Sequence, residues 1–233
     1  MRQIVLDTET TGLSAETGDR IIEIACIELI DRKLTGQHFH SHLNPERESH
    51  EDALKVHGLT SDFLRDKPKF AAIVDELIEY LRGAELIIHN APFDVGFLDK
   101  ELERAGRPVL KSFVGNVVDS LVLAKQMFPG KRNSLDALCD RLEVDNSSRT
   151  LHGALLDAQL LADVYIRLTR GQNSLAMDLD DVPSEQQSAH DLDLSQFDLP
   201  VIAASQAELA AHESVLIDLD KASKGKTLWR VGA

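Results

Sequence analysis

QIVLDTETTGLSAETGDRIIEIACIELIDRKLTGQHFHSHL, residues 3–43, holds three strand-like runs in succession. QIVLD (3–7) is short and apolar. RIIEIACIELI (20–30) is rich in β-branched residues and partly alternates, and KLTGQHFHSHL (33–43) alternates after a turn at Asp31-Arg32. Such spacing predicts a strand meander. Downstream the period changes. Ile73, Leu77, Ile78 and Leu81 share one face of a helix over 71–81, ELIIH (85–89) is an apolar strand, and Phe93, Phe97, Leu98 and Leu102 share one face of a helix over 93–105. The patterns of 117–128 and 134–144 also predict helices, and GALLDAQLLADVYIRLTR (153–170) is the clearest helix. A meander followed by alternating strands and helices implies an α/β domain with a mixed sheet.

The 233 residues are 43% hydrophobic and 27% charged, a globular balance that excludes a wholly disordered or fibrous chain. The net charge of −14 makes non-specific nucleic-acid binding by charge alone unfavourable. That charge is uneven: residues 178–220 carry 11 acidic and no basic residues, and 221–233 carry four basic and no acidic ones. Residues 178–195, poor in large apolar side chains and rich in Asp, Ser and Gln, read as a flexible linker, followed by a weak helical pattern over 203–219. Cys26 and Cys139 sit in apolar stretches without metal-ligand spacing, so a disulfide framework is not expected and a reducing cytoplasm is. MRQIVLDTET turns acidic too soon for a signal peptide, and no apolar run is long enough to span a membrane.

Three acidic clusters carry the chemistry. In Asp7-Thr8-Glu9-Thr10-Thr11-Gly12, side chains two apart share a strand face, so Asp7 and Glu9 can aim two carboxylates at one point while Thr8 points away. His89-Asn90-Ala91-Pro92-Phe93-Asp94 runs from strand into helix; Asp94 can cap that helix or serve a site. Asp157, in the strongest helix, lies on the side of Leu160, Leu161 and Val164, and a carboxylate near an apolar face needs a partner: a cation, a metal or a donor. His152, just before that helix, titrates near neutrality and suits proton transfer. Four carboxylates suit hard cations such as Mg²⁺ or Mn²⁺. The lack of Cys and of paired His ligands argues against a structural zinc site.

DTETTG (7–12), HNAPFD (89–94) and HGALLDA (152–158), in this order and spacing, resemble the three exonuclease motifs of the DEDD superfamily, histidine variant. VHGLT (56–60), MFPGKRNSLDALC (127–139), DNSSRTLHGALLDAQ (145–159), AAHES (210–214) and LWR (228–230) extend the resemblance to the proofreading epsilon subunits of bacterial DNA polymerase III, over nearly the whole chain. The resemblance implies a ribonuclease H-like fold, a mixed β-sheet flanked by helices, and 3′-to-5′ exonuclease activity releasing 5′-monophosphates from a primer 3′ end. It implies two divalent ions, Mg²⁺ or Mn²⁺, with Asp7 bridging both, Glu9 and Asp157 on the first, Asp94 on the second, and His152 as general base. Thr10, Thr11 and Gly12 would line the terminal nucleotide, His57 would lie near its sugar or phosphate, Leu59 near its base, and Asn90 and Phe93 would shape the pocket. Asp52 stands where relatives often have Glu.

The same resemblance divides the chain into an exonuclease domain (1–171), a clamp-binding peptide (172–177), an acidic linker (178–200) and a polymerase-binding tail (201–233). Gln172, Leu175 and Met177 match a sliding-clamp peptide, with Met177 in a place often aromatic; the end of helix 153–170 is the competing reading. Val201, Ile202, Leu228 and Trp229 are apolar anchors on a segment too small for its own core, and would bury themselves on the polymerase catalytic (alpha) subunit. Relatives suggest a small accessory subunit on the nuclease domain and a replisome location in the cytoplasm. Two alternatives are an exoribonuclease or oligonucleotide-trimming enzyme with the same carboxylates, and a catalytically silent clamp–polymerase adaptor.

Overall fold

β1 (Arg2–Thr10), β2 (Ile21–Ile30) and β3 (Lys33–His42) pair antiparallel in the computed structural model, which describes residues 1–147, 149, 151–170 and 204–223. The β2–β3 turn has positive φ at Asp31 (50°) and Arg32 (64°), the pattern of a type I′ hairpin. β4 (Glu85–Ile88) runs parallel to β1, and β5 (Asn116–Asp119) parallel to β4, giving one mixed sheet of order β3-β2-β1-β4-β5. Around it lie α1 (Glu51–His57), α2 (Ser61–Leu64), α3 (Phe70–Leu81), α4 (Ala91–Arg104), α5 (Ser120–Met127), α6 (Leu135–Leu142) and α7 (Ala154–Leu168).

β1 is central and covered on both sides, so its apolar run is continuous rather than alternating. Ile4 and Leu6 join Ile24, Cys26, Leu77 and Leu98 in one core layer, beneath α3 and α4. Val5 joins Ala25, Ile87, Leu138, Ala158 and Leu161 in the other, beneath α6 and α7. Each fully buried Leu or Ile stabilises by about 1.5–3 kcal/mol. Cys26 and Cys139 fall in different layers and are unpaired thiols.

The expected helix over 117–128 is half wrong. Val117 and Val118 extend the sheet opposite Leu86 and Ile87, and α5 begins only at Ser120. The Asp119 carboxylate accepts the N–H groups of Leu121 and Val122 and caps that helix, so a β-branched pair and an N-cap split one apolar run. α1 and α2 were not legible as helices.

The chain divides near residue 178 into two units. In the second, α8 (Gln206–Ser223) starts with a capping box: the Ser205 N–H donates to Glu208 Oε2 (2.8 Å) and the Glu208 N–H to Ser205 Oγ (3.3 Å). Leu209, Val215, Ile217 and Leu219 are exposed on it. Residues 171–203 and 224–233, with Gln172, Leu175, Met177, Val201, Ile202, Leu228 and Trp229, lie outside the described residues. No helix among the described residues is long and apolar enough to cross a membrane.

Candidate active site

β1 carries Asp7 and Glu9 on the face that α7 covers. Thr8 faces the other way yet is not idle: its hydroxyl donates to Asp94 Oδ1 at 2.7 Å. The chain then turns at Gly12, where a Cβ would stand 2.4 Å from both Asp19 Oδ2 and His50 Cδ2, so only glycine fits. Thr10 Oγ1 donates to the Gly12 carbonyl (2.6 Å). Thr11 is fully buried, with its hydroxyl on Asp19 Oδ1 (3.1 Å), its N–H on the Arg20 carbonyl and its carbonyl accepting from His50. These threonines build the turn with their own polar groups.

At the end of β4, Asn90 takes a left-handed conformation (φ 67°), its N–H donating to Asp119 Oδ1 (3.2 Å). This sharp turn starts α4 and places Asp94, 4% exposed, in its first turn. Phe93 is half-buried against Phe97, ring centroids 4.9 Å apart.

α7 supplies Asp157, 4% exposed. The partner its burial demands is Arg149, which the sequence reading missed although it lies three residues before His152. Arg149 Nε donates to Asp157 Oδ1 and Nη2 to Oδ2, both at 2.6 Å, and Nη1 donates to Asp136 Oδ1 at 2.5 Å. His152 Nδ1 lies 2.7 Å from Arg149 Nη2 and 3.2 Å from Asp157 Oδ2. Asp7, His89, Asp136, Arg149, His152 and Asp157 line one cavity of about 220 Å³.

The carboxylates act on one another. Burial, then the charges of Asp94, Glu9 and Asp157, push the Asp7 carboxyl well above its usual range. Burial, then Asp157 and Glu23, raise Glu9 to about 8. Burial raises Asp94 to about 7, against the lowering pull of the Thr8 hydroxyl. Ligand atoms of Glu9, His152 and Asp157 lie within 4.8 Å of one another. Acid groups gathered this closely disfavour their own ionisation and fit a hard divalent cation, which makes the cluster a candidate cation site.

The remaining expected residues are placed differently. His57 is buried, its Nδ1 accepting the Leu59 N–H (2.9 Å) and its Nε2 without a partner. The loop they form adjoins the third motif: the His152 N–H donates to the Val56 carbonyl (3.1 Å), and a Cβ on Gly58 would meet Leu151 at 2.8 Å. Asp52 stands apart, exposed on α1 and paired with Lys55 (3.0 Å).

A strand-end acid pair, a helix-borne acid on each side and a histidine, on a mixed five-stranded sheet, define a nuclease-like protein. Residues 4–165 match the family described as Exonuclease. The chain is 52% identical over 237 residues to the DNA polymerase III subunit epsilon of Salmonella typhimurium, covering 98% of this chain and 97% of that one. Identity to the Escherichia coli subunit is 49%, with the same coverage. Exonuclease X, solved in complex with 5′ overhanging duplex DNA, superposes with a TM-score of 0.57 at 25% identity over 73% of this chain and 93% of its own. The chain belongs to the exonuclease family and, within it, to the epsilon subunits of DNA polymerase III.

Proposed function

We propose that the protein is a 3′-to-5′ exodeoxyribonuclease that proofreads during replication, hydrolysing the terminal phosphodiester of a primer strand and releasing nucleoside 5′-monophosphates. The observation that carries this reading is the gathering of Glu9, Asp157 and His152 ligand atoms within 4.8 Å of one another, in a cavity that Asp7 also lines, with Asp94 on the Thr8 hydroxyl behind it. Two divalent ions, Mg²⁺ or Mn²⁺, would supply charge neutralisation at the scissile phosphate and acidify the attacking water. Asp7, Glu9, Asp94 and Asp157 would hold them.

His152 takes the proton of the attacking water at Nε2. That role requires Nδ1 to carry hydrogen, donated to Asp157. Arg149 donates to the same Nδ1 at the shorter distance, a contact that requires Nδ1 to accept. Arg149 therefore has to leave Nδ1 for His152 to act as base, while Asp136, already bonded to its Nη1, would keep hold of the guanidinium.

The turn at Thr10, Thr11 and Gly12, with His57, Leu59, Asn90 and Phe93, would bound the pocket for the terminal nucleotide, while Asp52, exposed and paired with Lys55, would reach the substrate only on leaving that pair. Gln172, Leu175 and Met177 dock on a sliding clamp. The tail, whose α8 exposes Leu209, Val215 and Ile217, binds the polymerase catalytic subunit in a cytoplasmic replisome, with a small accessory subunit on the nuclease domain. The full chain should remove a 3′ mismatch from primer–template DNA with Mg²⁺ or Mn²⁺ and stop when the ions are chelated. Preference for short RNA, or cleavage that persists in chelator, would overturn the reading.

A further inference from the structure

A second cluster lies one strand further across the same sheet face. Glu9 is opposite Glu23 and Glu23 opposite His42; the next row is Asp7, Ala25 and His40. Ala25 is small, so His40 can lean diagonally toward Glu23. His40 Nε2 stands 2.7 Å from Glu23 Oε1 and His42 Nε2 3.5 Å from the same oxygen, with the rings edge to face at 4.9 Å. We propose that Glu23, His40 and His42 form a second metal site, for a borderline divalent ion such as Zn²⁺ or Co²⁺, separate from the acidic site.

Four observations carry it. First, the ligand set is right: two neutral-capable imidazoles and one carboxylate suit Zn²⁺ and its neighbours, whereas Mg²⁺ takes oxygen. Second, the geometry is nearly made. Bond lengths near 2.0–2.2 Å in a tetrahedron separate ligand atoms by about 3.3 Å. The observed 2.7 and 3.5 Å bracket that value, and all three ligand atoms lie within 4.8 Å of one another. Third, the carboxylate is already oriented. Glu23 Oε2 accepts the Ala154 N–H (3.1 Å) at the start of α7, which leaves Oε1 for the histidines. Fourth, the site lacks a fixed cation. The Glu23 side chain is only 5% exposed and stands opposite a second carboxyl, Glu9, and its ion-pair partners among the described residues are the two histidines. Those rings are about a quarter exposed, so an ion can enter.

This revises the expectation against a zinc-type site. The i, i+2 spacing of His40 and His42 in QHFHSH puts both rings on one strand face, a pairing that Cys-type spacing rules do not register. The bound ion would join the β2–β3 pair, through Glu23, to the helix that bears Asp157.

The test uses the full chain with Asp7→Asn and Asp157→Asn, which disable the acidic site, and Co²⁺ as the probe. One equivalent should bind with the visible ligand-field bands of a four- or five-coordinate ion, and Zn²⁺ should displace it. Adding His40→Gln and His42→Gln should weaken binding roughly 100-fold or more. Wild-type chain saturated with Mg²⁺ should show the same bands, which keeps the test open if the disabled variant folds poorly. Absence of the bands in both backgrounds, or bands that survive the loss of both histidines, would overturn the proposal. Neither readout depends on nuclease activity, so the proposed function stands or falls separately.

Discussion

Asp94 and Glu101 sit seven residues apart on one face of α4, both buried, at 4% and 1% exposure. Their surroundings are opposites. Glu101 receives Arg20 through Nε (2.5 Å) and Nη2 (2.8 Å), Arg104 at 3.3 Å and the Ile21 N–H at 3.4 Å. Asp94 receives the Thr8 hydroxyl and the backbone N–H groups of Thr8 and Asp94, but no cation, and faces the field of other acids. Asp19 repeats the Glu101 pattern. Burial pushes its carboxyl up, but the Ser14 N–H, the Thr11 hydroxyl, Arg47 and His50 outweigh this and hold it below its usual range. Burial alone therefore does not set Asp94 apart from Glu101 and Asp19; the lack of a cation of its own does, whereas Asp157, in the same cluster, is buried with Arg149.

The sharpest way to break the comparison is to neutralise both ends of α4. Asp94→Asn, like Asp7→Asn, should cut hydrolysis on the order of 10³-fold, because several kcal/mol of charge stabilisation at the phosphate is lost. The same variants should melt no lower than wild type in chelator at pH 8, since a repelling charge has gone. Glu101→Ala should do the reverse, with a loss of about 3 kcal/mol in stability as Arg20 is left half-buried and unpaired. Protein that remains folded should still cleave. Single-turnover rates and thermal melts on the same samples would expose any exchange of roles.

pH separates the two classes next. Glu9 and Asp94 move from ordinary values of 4.5 and 3.8 to about 8 and about 7, so between those limits the folded chain keeps protons that the unfolded chain has released. Their contribution to metal-free stability therefore falls as pH rises from about 4 to about 8. Asp19 has the opposite sign: its contribution is present above 3.8 and is lost as pH falls below it. Melts in chelator should decline from pH 5 to pH 8, and Glu9→Gln should flatten that decline. An unchanged slope in Glu9→Gln would show that the cluster does not store this repulsion.

The sequence made the site more legible than its surroundings. Period-2 spacing put Asp7 and Glu9 on one face, and helical spacing put Asp157 on an apolar side that demanded a partner. Arg149 was the unread answer, because a loop residue eight positions from its partner obeys no period. Thr8 was dismissed by the alternation rule. It does face away from Asp7, but toward the layer that α4 covers, where Asp94 meets it. The split at Asp119 was missed because one apolar run served two elements, and α1 and α2 were missed because helices of seven and four residues show too little periodicity. Glu101 and Asp94 look alike in sequence; only the pairing of α4 with Arg20 separates them.

Thr8 offers the finest test of the comparison, because its hydroxyl is the side-chain donor that holds Asp94, beside the backbone N–H groups of Thr8 and Asp94. Thr8→Val keeps the shape and strand propensity but removes the hydroxyl. A hydrogen bond to a charged group contributes about 1.5–3 kcal/mol, and the backbone N–H groups of Thr8 and Asp94 would still serve the carboxyl, so a loss of about 1 kcal/mol in stability is expected. Without the donor the Asp94 carboxyl should rise further, because the hydroxyl is the largest of the influences lowering it. The rate should then fall about tenfold at neutral pH, roughly one 1.4 kcal/mol step in the barrier. The acidic limb of the pH–rate profile should shift upward, and the divalent ion concentration for half-maximal rate should rise. Thr8→Ser, which restores the hydroxyl but not the methyl, should return the pH limb to its wild-type position. If Thr8→Val lowers only the melting temperature, Asp94 is held by its helix alone, and the likeness of its surroundings to those of Glu101 is greater than the geometry implies.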